Sequence, residues 1–153
     1  MREAVQDLFD TIKDPFTATC ITTNGVIFET RDGVTKNVMG AGVAGLVRNR
    51  YPGCDEVLGL LILANGNKVQ QFLSKPVVLI AFPTKNNWKK DSTLQLIEQS
   101  AHQLKEWADN HPQFTTIVLP RPGCHYGGLS WEQVKPILEP ILTQDKFLII
   151  HKE

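Results

Sequence analysis

Three segments of this sequence concentrate residues that can hold an anion or move a proton. The first is Asn37-Val38-Met39-Gly40-Ala41-Gly42-Val43-Ala44-Gly45, with the spacing G-x-G-x-x-G. Glycines let backbone N–H groups close on a phosphate, and a helix behind them offers its positive N-terminus. The same spacing marks a dinucleotide-binding turn when it directly follows a strand and an acid ends the next strand about 20 residues later. Here a polar stretch separates the first strand from Gly40, and Asp55 and Glu56 precede an apolar run. That context argues against the dinucleotide turn. Close helix–sheet packing is the plain alternative for these glycines.

The second segment is Pro120-Arg121-Pro122-Gly123-Cys124-His125-Tyr126-Gly127-Gly128, again glycine-rich and again ahead of a helix start. Two such loops on one sheet edge suit a diphosphate held between them. Tyr126 can stack on a sugar or simply close the loop. His125 has acid/base chemistry available, although a lone loop histidine is often only solvated. Cys124 has no activating base beside it and reads as a packing residue. The third segment, Phe82 to Lys90, follows the most apolar strand. Lys85 lies just past that strand, where an amine can act as an acid, a nucleophile or a point charge; a surface lysine in a basic loop is the alternative. Asn24 ends the first strand and can reach the same cleft, or serve only the Asn24-Gly25 turn.

The elements that must position these loops read as α/β. Val5, Leu8, Phe9 and Ile12 have helical spacing and predict a helix over residues 3–12. Residues 18–23 read as a strand and 24–37 as a polar, turn-rich stretch. Helices are expected over 42–50 and 55–64, the second capped by Asn65-Gly66, with a strand at 68–73. Residues 77–82 (VVLIAF) show no polar alternation, so both faces should be buried. Leu94, Ile97, Ala101, Leu104 and Ala108 form one stripe of a helix over 92–109. A strand at 115–119 follows. Ser130 and Gln133 make a capping box for a helix running to about Leu142, irregular at Pro136 and Pro140. The last strand is 146–150. Strands alternating with helices predict a mostly parallel sheet covered on both faces, in one domain spanning 1–153.

Composition narrows the partners. The chain has 153 residues, with 16 basic and 16 acidic side chains that cancel. A long nucleic-acid track normally shows as a net basic surface, and only a local patch can hide in this total. No apolar run approaches the ~20 residues that span a bilayer, so no membrane partner is expected. The start, MREAVQDLFD, carries three acids and does not read as a signal peptide. Three cysteines without a CxxC pair suggest neither a disulfide framework nor a zinc site. A reducing, cytoplasmic location is expected, with no metal and no cofactor.

Taken together, Asn24, VMGAGVA (38–44), FPTKNNW (82–88) and LPRPGCHYGGLSWEQVKPIL (119–138) resemble the macrodomain family, in the family's order and across residues 18–150. The likeness is nearest to the subfamily of the animal terminal ADP-ribose glycohydrolase and of the antitoxin macrodomains that reverse ADP-ribosylation of DNA. The resemblance implies a three-layer α/β/α fold with a mixed, mostly parallel central sheet. It implies ADP-ribose, or an ADP-ribosylated protein or DNA, as the partner; the residues themselves fix no oligomeric state, and a monomer is the expectation. Residues Met39, Gly40, Ala41, Gly42, Val43 and Ala44 match the substrate loop. Pro122, Gly123, Cys124, His125, Tyr126, Gly127, Gly128 and Leu129 match the diphosphate loop, with Tyr126 beside the distal ribose. Lys85 matches the subfamily's catalytic lysine, and Asn24 an asparagine near the distal ribose.

Three departures accompany that likeness. Macrodomains usually begin with a strand leading to a Gly-Asp pair whose Asp holds adenine, whereas this chain reads as starting with a helix, and Asp7, Asp10 and Asp14 fall outside that motif. Gly127 stands where the animal enzyme has an Asp paired with its lysine. A polar insertion at about 25–36 flanks the ligand position as a lid or partner surface. The implied activity is ADP-ribosyl hydrolysis with Lys85 and Asn24 in the catalytic centre. The alternatives are a non-catalytic ADP-ribose or nucleotide-binding module and an ADP-ribose 1″-phosphate phosphatase.

Overall fold

The computed structural model describes residues 1–12 and 14–152. Its centre is set by two strands buried on both faces, β2 (Thr17–Asn24) and β6 (Val78–Lys85). Along β6, Ile80 and Phe82 enter one hydrophobic core while Leu79 and Ala81 enter the other. Along β2, Ala18 and Cys20 face the first core and Ile21 the second. Burying a large aliphatic or aromatic side chain contributes roughly 1.5–3 kcal/mol, so both strands are fixed in the sheet interior.

Around them runs a six-stranded sheet in the order β1-β8-β7-β2-β6-β5, with β1 Arg2–Val5, β5 Gln70–Leu73, β7 Thr116–Pro120 and β8 Phe147–His151. All neighbours are parallel except β5, which runs antiparallel to β6. One face carries α4 (Leu94–Asn110) and α5 (Trp131–Leu138); their buried residues Ile97, Ala101, Leu104, Val134 and Leu138 complete the first core. The other face carries α1 (Leu8–Thr11), α2 (Gly42–Arg50) and α3 (Cys54–Asn65), through Leu8, Val47 and Leu58. The result is the expected three-layer α/β/α arrangement with a mixed, mostly parallel sheet.

The helix expected over 3–12 is a correction. Residues 2–5 form β1, paired in parallel with β8, and only Leu8–Thr11 is helical, with the Asp7 carboxylate accepting from the Phe9 N–H at 2.9 Å. β1 is an edge strand with a mostly exposed pattern, so it carries little apolar alternation, and the spacing of Leu8, Phe9 and Ile12 belongs to the segment after it. The polar stretch 25–36 folds as a hairpin of β3 (Ile27–Glu29) and β4 (Thr35–Asn37). It is locked onto α3 at Gly59, where a Cβ would lie 2.7 Å from the Lys36 backbone. The last helix stops at Leu138, ahead of Pro140; its capping box between Ser130 and Gln133 is formed. No helix among the described residues is long and apolar enough to cross a membrane.

Five parallel strands put their carboxyl ends on one edge of the sheet. Asn24, Lys85, Pro120 and His151 end β2, β6, β7 and β8 there. That edge is where open parallel sheets bind ligands.

Candidate functional site

A cleft of about 770 Å³ lies along this edge. Its walls include Asn24, Gly40, Ala41, Gly42, Val43 and Ala44 from one side and Lys85, Gly123, Cys124, His125, Tyr126 and Gly127 from the other. Met39, Pro122, Gly128 and Leu129 do not line it. Met39 is a core residue at 2% exposure, Pro122 is buried, and Leu129 packs on the core behind its loop.

The two glycine loops meet across the cleft. Gly42 has φ 60°, and a Cβ on it would sit 3.2 Å from the Tyr126 ring. Glycine therefore meets both a left-handed backbone and a contact with the opposite loop. Ala41 precedes α2 without a side-chain cap, which leaves the first N–H groups of that helix available to an anion. In the opposite loop the amides of Gly127, Gly128 and Leu129 bond to Cys124, His125 and Gly123 carbonyls. The amides of Cys124, His125 and Tyr126 face no backbone acceptor among the described residues. His125 holds φ 60°, a conformation that costs a non-glycine residue about 1 kcal/mol or more and clusters at ligand-binding turns.

Lys85 stands between the loops. It is the final residue of β6, not a residue beyond it, and its Nζ donates to the Tyr126 carbonyl at 2.9 Å. Its own carbonyl accepts from the Gly25 N–H at 3.1 Å and the Asn67 amide at 3.0 Å. The pairing of β2 with β6 shifts register between Thr23 and Asn24, which brings Asn24 opposite Lys85; such irregularities re-aim side chains at strand ends. The Asn24 side chain donates to the Val38 carbonyl at 2.8 Å and accepts from the Val26 N–H at 2.9 Å. Buried Asn37 ties the same turn, donating to the Asn24 and Val26 carbonyls at 3.0 and 2.9 Å. Asn24 thus holds the loop that leads to Gly40 while lining the cleft.

Lys85, Arg121 and Lys152 line the cleft, and no carboxylate does among the described residues. These basic groups differ in their surroundings: Lys85 has no carboxylate partner among the described residues, whereas Arg121 pairs with Glu3 at 3.7 Å and Lys152 with Asp7. Burial pushes the Cys124 thiol up from its ordinary value, which disfavours the thiolate a nucleophile needs. Beyond the glycine loops the cleft continues past Gln6, Leu8, Ile150, His151 and Lys152. The strand β1 leads directly to Gln6-Asp7 here. Lys152 hydrogen-bonds the Asp7 carboxyl, and with the Phe9 N–H holds it below the usual carboxylate range.

Sequence reasoning missed Thr23, Ser92, Arg121 and His151 as cleft residues. Each carries a buried polar atom without a hydrogen-bond partner. Thr23 looked like strand composition and Ser92 like the first residue of the helix over 92–109, which the structure begins at Leu94 with Thr93 as its cap, so only the fold reveals them.

No family model matches the chain. A curated relative from Thermosipho africanus, a DNA ADP-ribosyl transferase–DNA ADP-ribosyl glycohydrolase fusion protein, is 26% identical over 135 residues, covering 72% of this chain. The chain spans about a third of that relative's length, 34%. Among solved structures, the macrodomain of Mycobacterium tuberculosis DarG superposes with a TM-score of 0.79 at 24% identity, covering 99% of this chain and 97% of the other. Thermosipho africanus DarTG in complex with ADP-ribose superposes with a TM-score of 0.74 at 22% identity, covering 99% of this chain and 42% of that one. The likeness first carried by four loop segments therefore extends over the whole backbone: this chain has the macrodomain fold, in the form that resembles the DarG macrodomains.

Proposed function

We propose that the cleft binds ADP-ribose and that the protein hydrolyses the bond between C1″ of the distal ribose and a modified macromolecule. The observation that carries this reading is Lys85 Nζ at 2.9 Å from the Tyr126 carbonyl. It fixes a single amine at the junction of two amide-lined loops. A diphosphate fits between the α2 N-terminus and the free amides of residues 124–126, where preorganised N–H groups stabilise negative charge without rearrangement. Tyr126 flanks the distal ribose, and Asn24 orients its hydroxyls while holding the 38–44 loop. Adenine then lies toward Gln6 and Asp7, the residues that follow β1 where the resemblance puts its Gly-Asp pair.

In the reaction, the C1″–leaving-group bond breaks through an oxocarbenium-like state, water supplies the new oxygen at C1″, and the leaving atom takes a proton. Lys85 serves at that carbon, by giving the proton or by adding to the ring-opened sugar and being released by water. The fusion relative, named for glycohydrolysis of ADP-ribosylated DNA, favours a DNA target over a protein. The test is release of ADP-ribose from an ADP-ribosylated oligonucleotide and an ADP-ribosylated protein by wild-type and Lys85→Ala protein. Release from the oligonucleotide that is lost in the variant supports the reading, and equal rates in both remove the lysine from the mechanism.

One observation favours a second reading, a non-catalytic binding module. Lys85 makes no ion pair among the described residues, and Gly127 offers no carboxylate to activate it. Calorimetry with ADP-ribose beside the same release assays separates the two: tight binding with no turnover on either substrate selects the module. A phosphatase acting on ADP-ribose 1″-phosphate is checked by phosphate release from that compound.

A further inference from the structure

Ser92 sits inside the 123–128 loop without belonging to it. Its N–H donates to the Gly127 carbonyl at 2.9 Å. A Cβ on Gly123 would lie 3.3 Å from the Ser92 Cβ, and a Cβ on Gly127 only 2.5 Å from the Ser92 Oγ. The serine hydroxyl therefore occupies the space that any side chain at position 127 would need. Ser92 is 5% exposed, it lines the cleft, and its Oγ has no hydrogen-bond partner. Buried hydroxyls are nearly always paired. This one lies against Gly127 at the cleft wall, and a turn about its single torsion brings it to a partner in the cleft.

We infer that Ser92 is a ligand-binding residue whose hydroxyl donates to the distal phosphate or ribose of the bound nucleotide, supplying from the approach to α4 the polar group that Gly127 lacks. This rests on the ADP-ribose reading of the cleft. It also gives Gly127 a physical reason: a Cβ there would lie 2.5 Å from the Ser92 Oγ and 3.2 Å from its Cβ, so any side chain displaces the hydroxyl from its present position.

The test compares wild-type protein with Ser92→Ala by calorimetry against ADP-ribose and AMP, with melting of the ligand-free protein measured alongside. A hydrogen bond to a charged or strongly polar acceptor predicts about tenfold weaker ADP-ribose binding. AMP, which lacks the second phosphate and distal ribose, should bind unchanged. The ligand-free Tm should stay the same or rise, because an unpaired buried hydroxyl is removed. Unchanged ADP-ribose affinity, an equal loss for AMP, or a lowered Tm that accounts for the loss overturns the inference while leaving ADP-ribose binding intact. Wild-type protein with no affinity for ADP-ribose overturns the functional reading itself and this one with it. Gly127→Ala supplies a second arm: it should weaken ADP-ribose binding more than tenfold in wild type and clearly less in the Ser92→Ala background, since contacting residues couple. Additive losses contradict the proposed contact between the two positions.

Discussion

At one end of the cleft the groups that can hold a diphosphate are chiefly backbone amides of the α2 N-terminus and of residues 124–126, with Lys85 and Ser92 bonded to the carbonyls of Tyr126 and Gly127. At the other end they are side chains: Gln6, Arg121, His151 and Lys152, with Asp7 engaged by Lys152 and the Phe9 N–H. The difference separates what each end can tolerate. An amide cradle needs glycines only where the backbone turns left-handed or approaches another chain segment closely, as at Gly42 and Gly127. Its other positions can drift without changing the donors. An end built from side chains changes its chemistry with every substitution. The backbone-built end should therefore carry the shared diphosphate chemistry, and the side-chain-built end the individual fit to adenosine.

Four substitutions break or sharpen that contrast. The largest effect is expected for Lys85→Ala, which should lower the rate of ADP-ribose release by about 10²–10⁴-fold, the usual span of one positioned acid/base group. Its ADP-ribose affinity by calorimetry should stay within a few-fold of wild type. Next is Gly42→Val, which forces a branched side chain into φ 60° and against the Tyr126 ring. ADP-ribose binding should weaken on the order of 10- to 100-fold, converting a strain of roughly 1–3 kcal/mol through the loop, and AMP binding should suffer less. At the opposite end, Asp7→Asn keeps an acceptor for the Phe9 N–H but removes the charge. It should weaken ADP-ribose and AMP equally, by about tenfold at most, and leave the release rate at saturating substrate untouched. If Asp7→Asn acted on turnover and Lys85→Ala on affinity, the division between the ends would be wrong.

The smallest effect concerns the frame beneath the side-chain-built end. Glu3 on β1 accepts from Trp131 Nε1 at 2.9 Å and pairs with Lys135 at 2.8 Å, joining the edge strand to α5. Its carboxyl is held below the ordinary 4.5, first by the Lys135 hydrogen bond. The folded state therefore binds this proton less tightly than the unfolded chain. The stabilisation is present above the ordinary carboxylate value and is lost as pH falls through the depressed one. Melting curves should show wild type exceeding Glu3→Gln by about 2 °C at pH 7, a modest gain for a partly exposed pair. The gap should close as the pH is brought below the carboxylate range.

The same contrast explains what could be read before the fold was known. The strand β6 was legible because Leu79, Ile80, Ala81 and Phe82 form a run too short for a typical buried helix and apolar on both faces. The glycine loops stood out by composition, but on the residues alone Lys85 read equally as a surface lysine in a basic loop, and only the resemblance to macrodomains pointed to it. The N-terminal strand was not legible, because an edge strand with Arg2, Glu3 and Val5 exposed has no inward alternation to detect. Misreading it as a helix hid the position of Asp7, two residues past β1 at the N-cap of α1. The hairpin over residues 27–37 was equally silent, since its seat is the bare backbone contact at Gly59. Thr23, Ser92, Arg121 and His151 are assigned to the cleft only by long-range packing that brings β2, β7, β8 and the approach to α4 to one edge.

A structure of the protein with ADP-ribose bound is the most direct measurement. The account predicts both phosphates within hydrogen-bond distance of amides from residues 41–44 and 124–126, the distal ribose beside Tyr126, and the Lys85 amine within reach of the substituents on C1″. Phosphates held instead by the Arg121 and Lys152 side chains, with the distal ribose turned away from Lys85, would contradict it.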